Sequence, residues 1–78
     1  MEINDFIANF ADQFDETDAS VFTPDTKFRE LEEWSSLTGL SVLNMIDKKY
    51  GVRLNTTEFK SATTIQELYD IVSLYSDK

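Results

Sequence analysis

Apolar residues recur at helical spacing in three stretches of the chain, and a long polar stretch separates the first from the second. The first stretch runs from Ile3 to Phe14 and alternates apolar with polar side chains at intervals of three and four. The last follows Thr64 and repeats Ile65, Leu68 and Val72 in the same way. Such spacing predicts amphipathic helices whose apolar stripes pack against one another.

The middle stretch predicts the best-defined helix, over residues 36–50. Ser35 and Ser36 precede its apolar pattern, and a serine hydroxyl commonly caps the unpaired amides at a helix start. Gly51 follows the last apolar position, as is usual just past a helix C-terminus. Two lysines before this glycine suit the negative end of the helix dipole.

A helical wheel places most apolar positions of this middle helix on one arc, which we expect to face the core. They are Leu40, Val42, Leu43, Ile46 and Tyr50. Leu37 and Met45 fall on the other side, among polar residues such as Ser41. We interpret this side as a contact surface for a partner protein. The alternative is that single exposed apolar residues are ordinary and have no function.

Residues 15–33 break the helical pattern and include Pro24. A loop of this length in a small domain is usually functional or held in place by its own side chains. The expected anchors are apolar: Val21, Phe22, Phe28, Leu31 and Trp34. Asp15, Asp18 and Asp25 lack the spacing and the central glycine of an EF-hand loop, which favours a solvated acidic loop over a calcium site.

Beyond Gly51, a short linker leads to one short helix and then to the last helix. Asn55 and Glu58 resemble a capping arrangement, and Thr64 with Glu67 forms a capping box in the sequence. Residues 1–78 are therefore predicted to form a single all-α domain. We expect a small four-helix bundle with three main helices, one short helix and a long first loop.

The composition removes several kinds of chemistry. The 78 residues include no Cys and no His, which excludes a disulfide framework, a thiolate nucleophile, a Cys/His zinc site and an imidazole base. Glu32 and Glu33 are the adjacent carboxylates that remain as acid–base candidates. Neighbours in a short acidic loop are normally both solvated, so we expect neither a catalytic residue nor a metal ligand.

The formal charge of −8 lies entirely in the first half of the chain. Residues 1–35 carry ten acids and two bases, whereas residues 36–78 carry five of each. This balance argues against nucleic acid and anionic membrane as partners.

No apolar run approaches the roughly 20 residues that span a bilayer, and the first residues lack the bases of a secretory signal. We expect a monomeric, cytoplasmic protein.

The chain resembles the acyl carrier protein family, which includes peptidyl and aryl carrier domains. The residues that carry the resemblance are Ser36-Leu37, then Leu40, Val42, Leu43, Ile46, Tyr50 and Gly51, the upstream anchors Phe28, Leu31 and Trp34, and the segment from Thr64 to Tyr69. In that family an acid-serine-leucine triplet opens the second helix, and its serine carries a 4′-phosphopantetheine arm. The resemblance implies a bundle of acyl-carrier type with Ser36 as the attachment site.

Two departures from the family affect partner binding. Ser35 stands where the family has an acid, and the second helix carries residues such as Thr38 and Asn44 in place of exposed acids. The implied docking surface therefore combines residues of this helix with the acidic loop. It comprises Leu37, Ser41, Met45, Glu32 and Glu33.

The resemblance also implies the function. A phosphopantetheinyl transferase would add the arm from coenzyme A, and the arm's thiol would hold acyl groups as thioesters for fatty-acid, polyketide or related biosynthesis. The chain would be a carrier, not an enzyme, serving partners of ketosynthase, acyltransferase or ligase type. Two alternatives remain: an aminoacyl or peptidyl carrier, and a non-catalytic acidic helical interaction module.

Overall fold

Four α-helices and two 3₁₀ turns follow one another in the computed structural model, which describes residues 2–76. The helices are α1 (Ile3–Ala11), α2 (Ser36–Tyr50), α3 (Thr56–Ser61) and α4 (Ile65–Ser76), and the 3₁₀ turns are Ala19–Val21 and Phe28–Glu30. Residues 2–76 contain no strand, and Lys27 and Thr64 form an isolated antiparallel bridge. The predicted all-α bundle with a long first loop is confirmed.

The starts of α3 and α4 follow the predicted capping chemistry. The Asn55 side chain accepts a hydrogen bond from the Glu58 amide at 2.7 Å, and the Glu58 carboxylate accepts one from the Asn55 amide at 3.2 Å. Before α4, the Thr64 hydroxyl and the Glu67 amide lie 3.2 Å apart in the same arrangement. Both short-range signals in the sequence therefore mark real helix starts.

The first helix is shorter than its apolar pattern. Helix α1 ends at Ala11, and the Phe14 amide then donates to the Ala11 carbonyl at 3.0 Å, so the chain tightens into a turn. Phe14 nevertheless remains buried, with 7% of its surface exposed. The periodicity therefore identified the buried phenylalanines Phe6, Phe10 and Phe14, but not the end of the helix, and Ile3 and Ile7 are only half-buried.

One core joins the helices to the first loop. Its buried members are Phe6, Phe10, Phe14, Phe22, Phe28, Val42, Met45, Ile46, Val52, Phe59, Ala62, Ile65, Leu68 and Val72. Two predicted loop anchors, Phe22 and Phe28, belong to it, and Leu31 and Trp34 pack against it. The prediction for Val21 is wrong, because its side chain is 42% exposed.

The wheel prediction for α2 is wrong at two positions. Leu40, expected in the core, is 56% exposed, and Met45, expected on the contact surface, is only 5% exposed. The buried residues of α2 are Gly39, Val42, Met45 and Ile46, an arc that is rotated away from Leu40 and towards Met45. A helical wheel gives glycine no apolar weight, yet the Gly39 backbone lies against the Trp34 and Phe59 rings. Met45 and Gln13, which lies two residues beyond α1, line the same surface depression.

Replacing Gly51 tests the end of α2. Gly51 has φ 67° and ψ 26°, and beyond its two neighbours in the chain no atom lies within 4 Å of the place a Cβ would take. We expect Gly51→Ala to lower the free energy of unfolding by about 1–2 kcal/mol, the cost of left-handed backbone for a residue with a Cβ. Gly51→Asn is the control and should cost less, because asparagine tolerates this conformation. Urea unfolding followed by circular dichroism measures both, and equal losses would contradict the conformational explanation.

Candidate functional site

Ser35 and Ser36 occupy different positions at the start of α2. Ser35 is the N-cap residue, and its Oγ accepts a hydrogen bond from the Thr38 amide at 3.3 Å. Ser36 is the first helical residue. Its side chain is exposed, and its hydroxyl makes no hydrogen bond within residues 2–76. Capping therefore occupies the Ser35 hydroxyl and leaves the Ser36 hydroxyl open to solvent.

The electrostatics at this helix start favour a negative group. The first hydrogen bond of the helical ladder runs from the Gly39 amide to the Ser35 carbonyl at 2.9 Å, so the Ser36 and Leu37 amides lack a partner within the helix. The first turn of α2 carries no acidic residue. Unpaired amides and the positive end of the helix dipole would stabilise a phosphate ester on Ser36.

A groove opens beside Ser36, between the first turns of α2 and α3. We call it the Ser36 groove; its volume is about 540 Å³. It is lined by Arg29, Trp34, Ser35, Ser36, Gly39, Leu40, Leu43, Thr56, Phe59 and Lys60. The Leu40 side chain therefore lines the Ser36 groove and does not pack in the core.

Aromatic rings form the floor of the Ser36 groove. A Cβ on Gly39 would lie 3.4 Å from Cζ2 of Trp34 and 3.6 Å from Cε2 of Phe59. The Trp34 and Phe59 ring centroids are 6.0 Å apart. Two rings therefore pack directly under the backbone of the first turn of α2, next to the exposed serine.

Arg29 fastens the far side of the Ser36 groove. Its guanidinium donates hydrogen bonds to the carbonyls of Phe59 and Ala62. The same group lies 4.8 Å from the centroid of Phe28 and 5.4 Å from that of Phe59, within cation–π range. Arg29 thus joins the end of α3 to the 3₁₀ turn Phe28–Glu30 of the first loop. Lys60, whose side chain is exposed, is the second cation that lines the groove.

Glu33 joins the segment before α2 to the turn after α1. Its carboxylate accepts hydrogen bonds from the backbone amides of Asp15 at 2.6 Å, Glu16 at 3.0 Å and Thr17 at 2.9 Å, and from the Thr17 hydroxyl at 2.7 Å. We call this arrangement the Glu33 clamp. The hydrogen bonds from the Thr17 hydroxyl and the Asp15 amide hold the pKa of the Glu33 carboxyl below its ordinary value.

The five residues predicted for docking differ in how accessible they are to a partner. Leu37 is 77% exposed and Glu32 is also exposed, whereas Ser41 is half-buried. Met45 lies in the core, so its predicted exposure is wrong. The Glu33 carboxylate is already engaged by four donors. Leu37, Ser41 and Glu32 therefore remain as the residues available to a partner near Ser36.

Sequence reasoning missed the parts of the site that depend on distant partners. Arg29 contacts carbonyls 30 and 33 residues further along the chain, and Lys60 and Thr56 reach the groove from α3. No periodic pattern relates these positions to Ser36. The position of Trp34 two residues before Ser36 was the available signal for the groove floor.

Comparison with known proteins identifies a family. The family model described as phosphopantetheine attachment site matches residues 4–72. No curated protein and no solved structure matches the chain.

Among residues 2–76, none of the helices has the length and apolar character required to cross a membrane. The same part of the chain holds no group of three or more His, Cys, Asp or Glu residues able to bind a metal ion.

Proposed function

Because this chain belongs to the phosphopantetheine attachment family, we propose that it is an acyl carrier protein with the Ser36 hydroxyl as the attachment point. The domain binds 4′-phosphopantetheine as its prosthetic group. The observation that supports Ser36 is the difference between the two serines: Ser35 caps α2 through its Oγ, whereas Ser36 is exposed at the helix N-terminus.

The residues around Ser36 fit such a group. The unpaired amides of the first turn suit its phosphate, and Lys60 lines the adjacent groove. Leu40, Leu43 and the two aromatic rings offer apolar surface along the groove. When bound, the group supplies a terminal thiol that holds an acyl group as a thioester, a function that a chain without cysteine cannot provide itself.

Partner enzymes would perform the chemistry, since carrier domains of this family are generally non-catalytic. We propose a phosphopantetheinyl transferase as the modifying partner and enzymes of ketosynthase, acyltransferase or ligase type as the loading and processing partners. Leu37 and Ser41 on α2, with Glu32 on the loop, form the docking surface around Ser36. With no acid in the first turn of α2, apolar contact at Leu37 contributes more to docking than charge does.

The apolar walls of the Ser36 groove favour acyl cargo of the fatty-acid or polyketide kind. The groove also carries Thr56 and Lys60 on one side, so an aminoacyl or peptidyl cargo is the second candidate. Incubation with a broad-specificity transferase and either acyl or aminoacyl coenzyme A analogues, followed by hydrolysis-rate measurement, compares the two. Each rate is compared with that of the same thioester on free pantetheine, and we expect the protein to slow hydrolysis more for the acyl form than for the aminoacyl form.

Intact-protein mass spectrometry tests the carrier function itself. After incubation with a transferase and coenzyme A, the mass should increase by one phosphopantetheine arm. An unchanged mass with several transferases would reject the proposal and favour an acidic interaction module. Such a module would bind a basic partner in a salt-sensitive manner that survives replacement of Ser36.

A further inference from the structure

Three successive backbone amides converge on a single side chain next to the proposed attachment site. The amides of Asp15, Glu16 and Thr17 point at the Glu33 carboxylate, and the Thr17 hydroxyl completes the set. Consecutive amides directed at one point form an anion-binding concavity. In this chain the anion is supplied by a residue three positions before Ser36.

The same short segment is held at its other end by α2. The Thr38 hydroxyl donates to the Glu33 carbonyl at 3.1 Å and lies 3.1 Å from the Ser35 Oγ. Between these two attachments, the Trp34 ring stacks on Phe14 with a centroid distance of 6.3 Å and an interplanar angle of 28°. Residues 33–35 are therefore fixed both to the turn after α1 and to the first turn of α2.

We propose that Glu33 is a positioning residue for Ser36, which fixes the start of α2 so that Ser35 caps the helix and Ser36 faces solvent. This inference rests on the proposed function. Glu33 acts through the backbone. Its carboxylate holds residues 15–17, and its backbone carbonyl accepts a hydrogen bond from the Thr38 hydroxyl. The Thr38 amide in turn donates to the Ser35 Oγ. Without the clamp, the segment that carries the two serines loses its hydrogen bonds to residues 15–17 and keeps only the packing of the Trp34 ring on Phe14 as its contact with that turn.

A docking role is the competing explanation for Glu33, and the two make different kinetic predictions. A docking charge acts on encounter with a basic partner, so its removal raises KM and changes salt dependence. A positioning residue determines the geometry of the reacting hydroxyl, so its removal lowers kcat, and a misplacement on the order of 1 Å can cost about a hundredfold. Glu30, an exposed acid in the same loop, provides the matched control because its carboxylate makes no hydrogen bond within residues 2–76.

The test compares Glu33→Gln with Glu30→Gln in transfer of the arm from coenzyme A by a purified transferase. Both changes remove one negative charge and preserve side-chain length. We expect Glu33→Gln to lower kcat by about tenfold with little change in KM, and Glu30→Gln to leave kcat at the wild-type value. Circular dichroism at the assay temperature verifies that both variants are folded.

A pH titration of the unmodified protein, followed by nuclear magnetic resonance, reports whether the Glu33 clamp is formed and needs no transferase. Because its pKa is lowered, the Glu33 carboxylate stabilises the clamp above the ordinary value of 4.5, and this contribution is lost as the pH falls through the lowered pKa. The Asp15, Glu16 and Thr17 amide resonances should therefore shift together at acidic pH. The Glu16 and Glu32 side chains line the same surface depression as Glu33, and Asp15 belongs to the same turn. Disappearance of the shared transition in Glu33→Gln therefore assigns it to Glu33.

Amide hydrogen exchange at Gly39, whose amide donates to the Ser35 carbonyl, reports the start of α2. Exchange at this amide should be faster in Glu33→Gln than in Glu30→Gln. Unchanged exchange, or a wild-type kcat in Glu33→Gln despite loss of the shared titration, would overturn the positioning role. Equal increases in KM for both variants would assign Glu33 to docking instead. Failure to modify even the wild-type chain would reject the proposed function, and the exchange comparison would then decide the positioning of Ser36 separately.

Discussion

Ser36→Ala should abolish the mass gain produced by a transferase and coenzyme A while leaving the helical content unchanged. The side chain is exposed and makes no hydrogen bond within residues 2–76, so its removal deletes no contact that the fold uses. Alanine also has the highest helix propensity. Intact-protein mass spectrometry measures the first result and far-ultraviolet circular dichroism the second.

Ser35→Ala is the matched control, since it removes the neighbouring hydroxyl. The Ser35 Oγ caps the Thr38 amide, and loss of such a cap costs about 0.5–2 kcal/mol of stability. We expect this variant to be less stable but still to accept one arm. If Ser35→Ala blocked modification and Ser36→Ala did not, Ser35 would be the attachment site.

Phe28→Ala should cause the largest loss of stability of any change considered. Phe28 is fully buried, with ring centroids 5.1 Å from Trp34, 5.3 Å from Phe10 and 6.1 Å from Phe59. Truncation of a buried phenylalanine costs about 3–5 kcal/mol, and a chain of this size is stable by only about 4–12 kcal/mol. Arg29 also rests on this ring, so its attachment to α3 should weaken.

Urea unfolding, followed through the fluorescence of Trp34, measures the effect of Phe28→Ala directly. Leu74→Ala is the control for loss of a large apolar side chain, because Leu74 is 67% exposed. Its free energy of unfolding should stay within about 0.5 kcal/mol of the wild type. A loss below about 1 kcal/mol for Phe28→Ala would mean that the loop contributes little to the core.

Local signals in the sequence predicted the elements of this fold because their causes are local. The glycine at the end of α2 adopts φ 67°, and the Asn55–Glu58 and Thr64–Glu67 pairs form the predicted caps. Each such signal involves residues within four positions of one another, so the chain's order alone specifies it. The same holds for Ser36 as the first residue of α2.

Errors arose where packing between distant segments decided the outcome. The wheel placed Leu40 inside and Met45 outside, and the structure reverses both. The direction of the buried arc depends on which surfaces approach the helix, and a bare glycine backbone can be the point of closest approach. A pattern of hydrophobicity specifies the width of an apolar face better than its centre.

The sequence by itself determined the four helices, both ends of α2, the starts of α3 and α4, and a serine at the N-terminus of α2, because capping, propensity and apolar period act over one or two turns. Tertiary structure alone decided the surroundings of that serine. The Ser36 groove, the Arg29 attachment to α3 and the Glu33 clamp each join residues far apart in the chain. Such contacts depend on how the packed core brings segments together, and no local pattern encodes them.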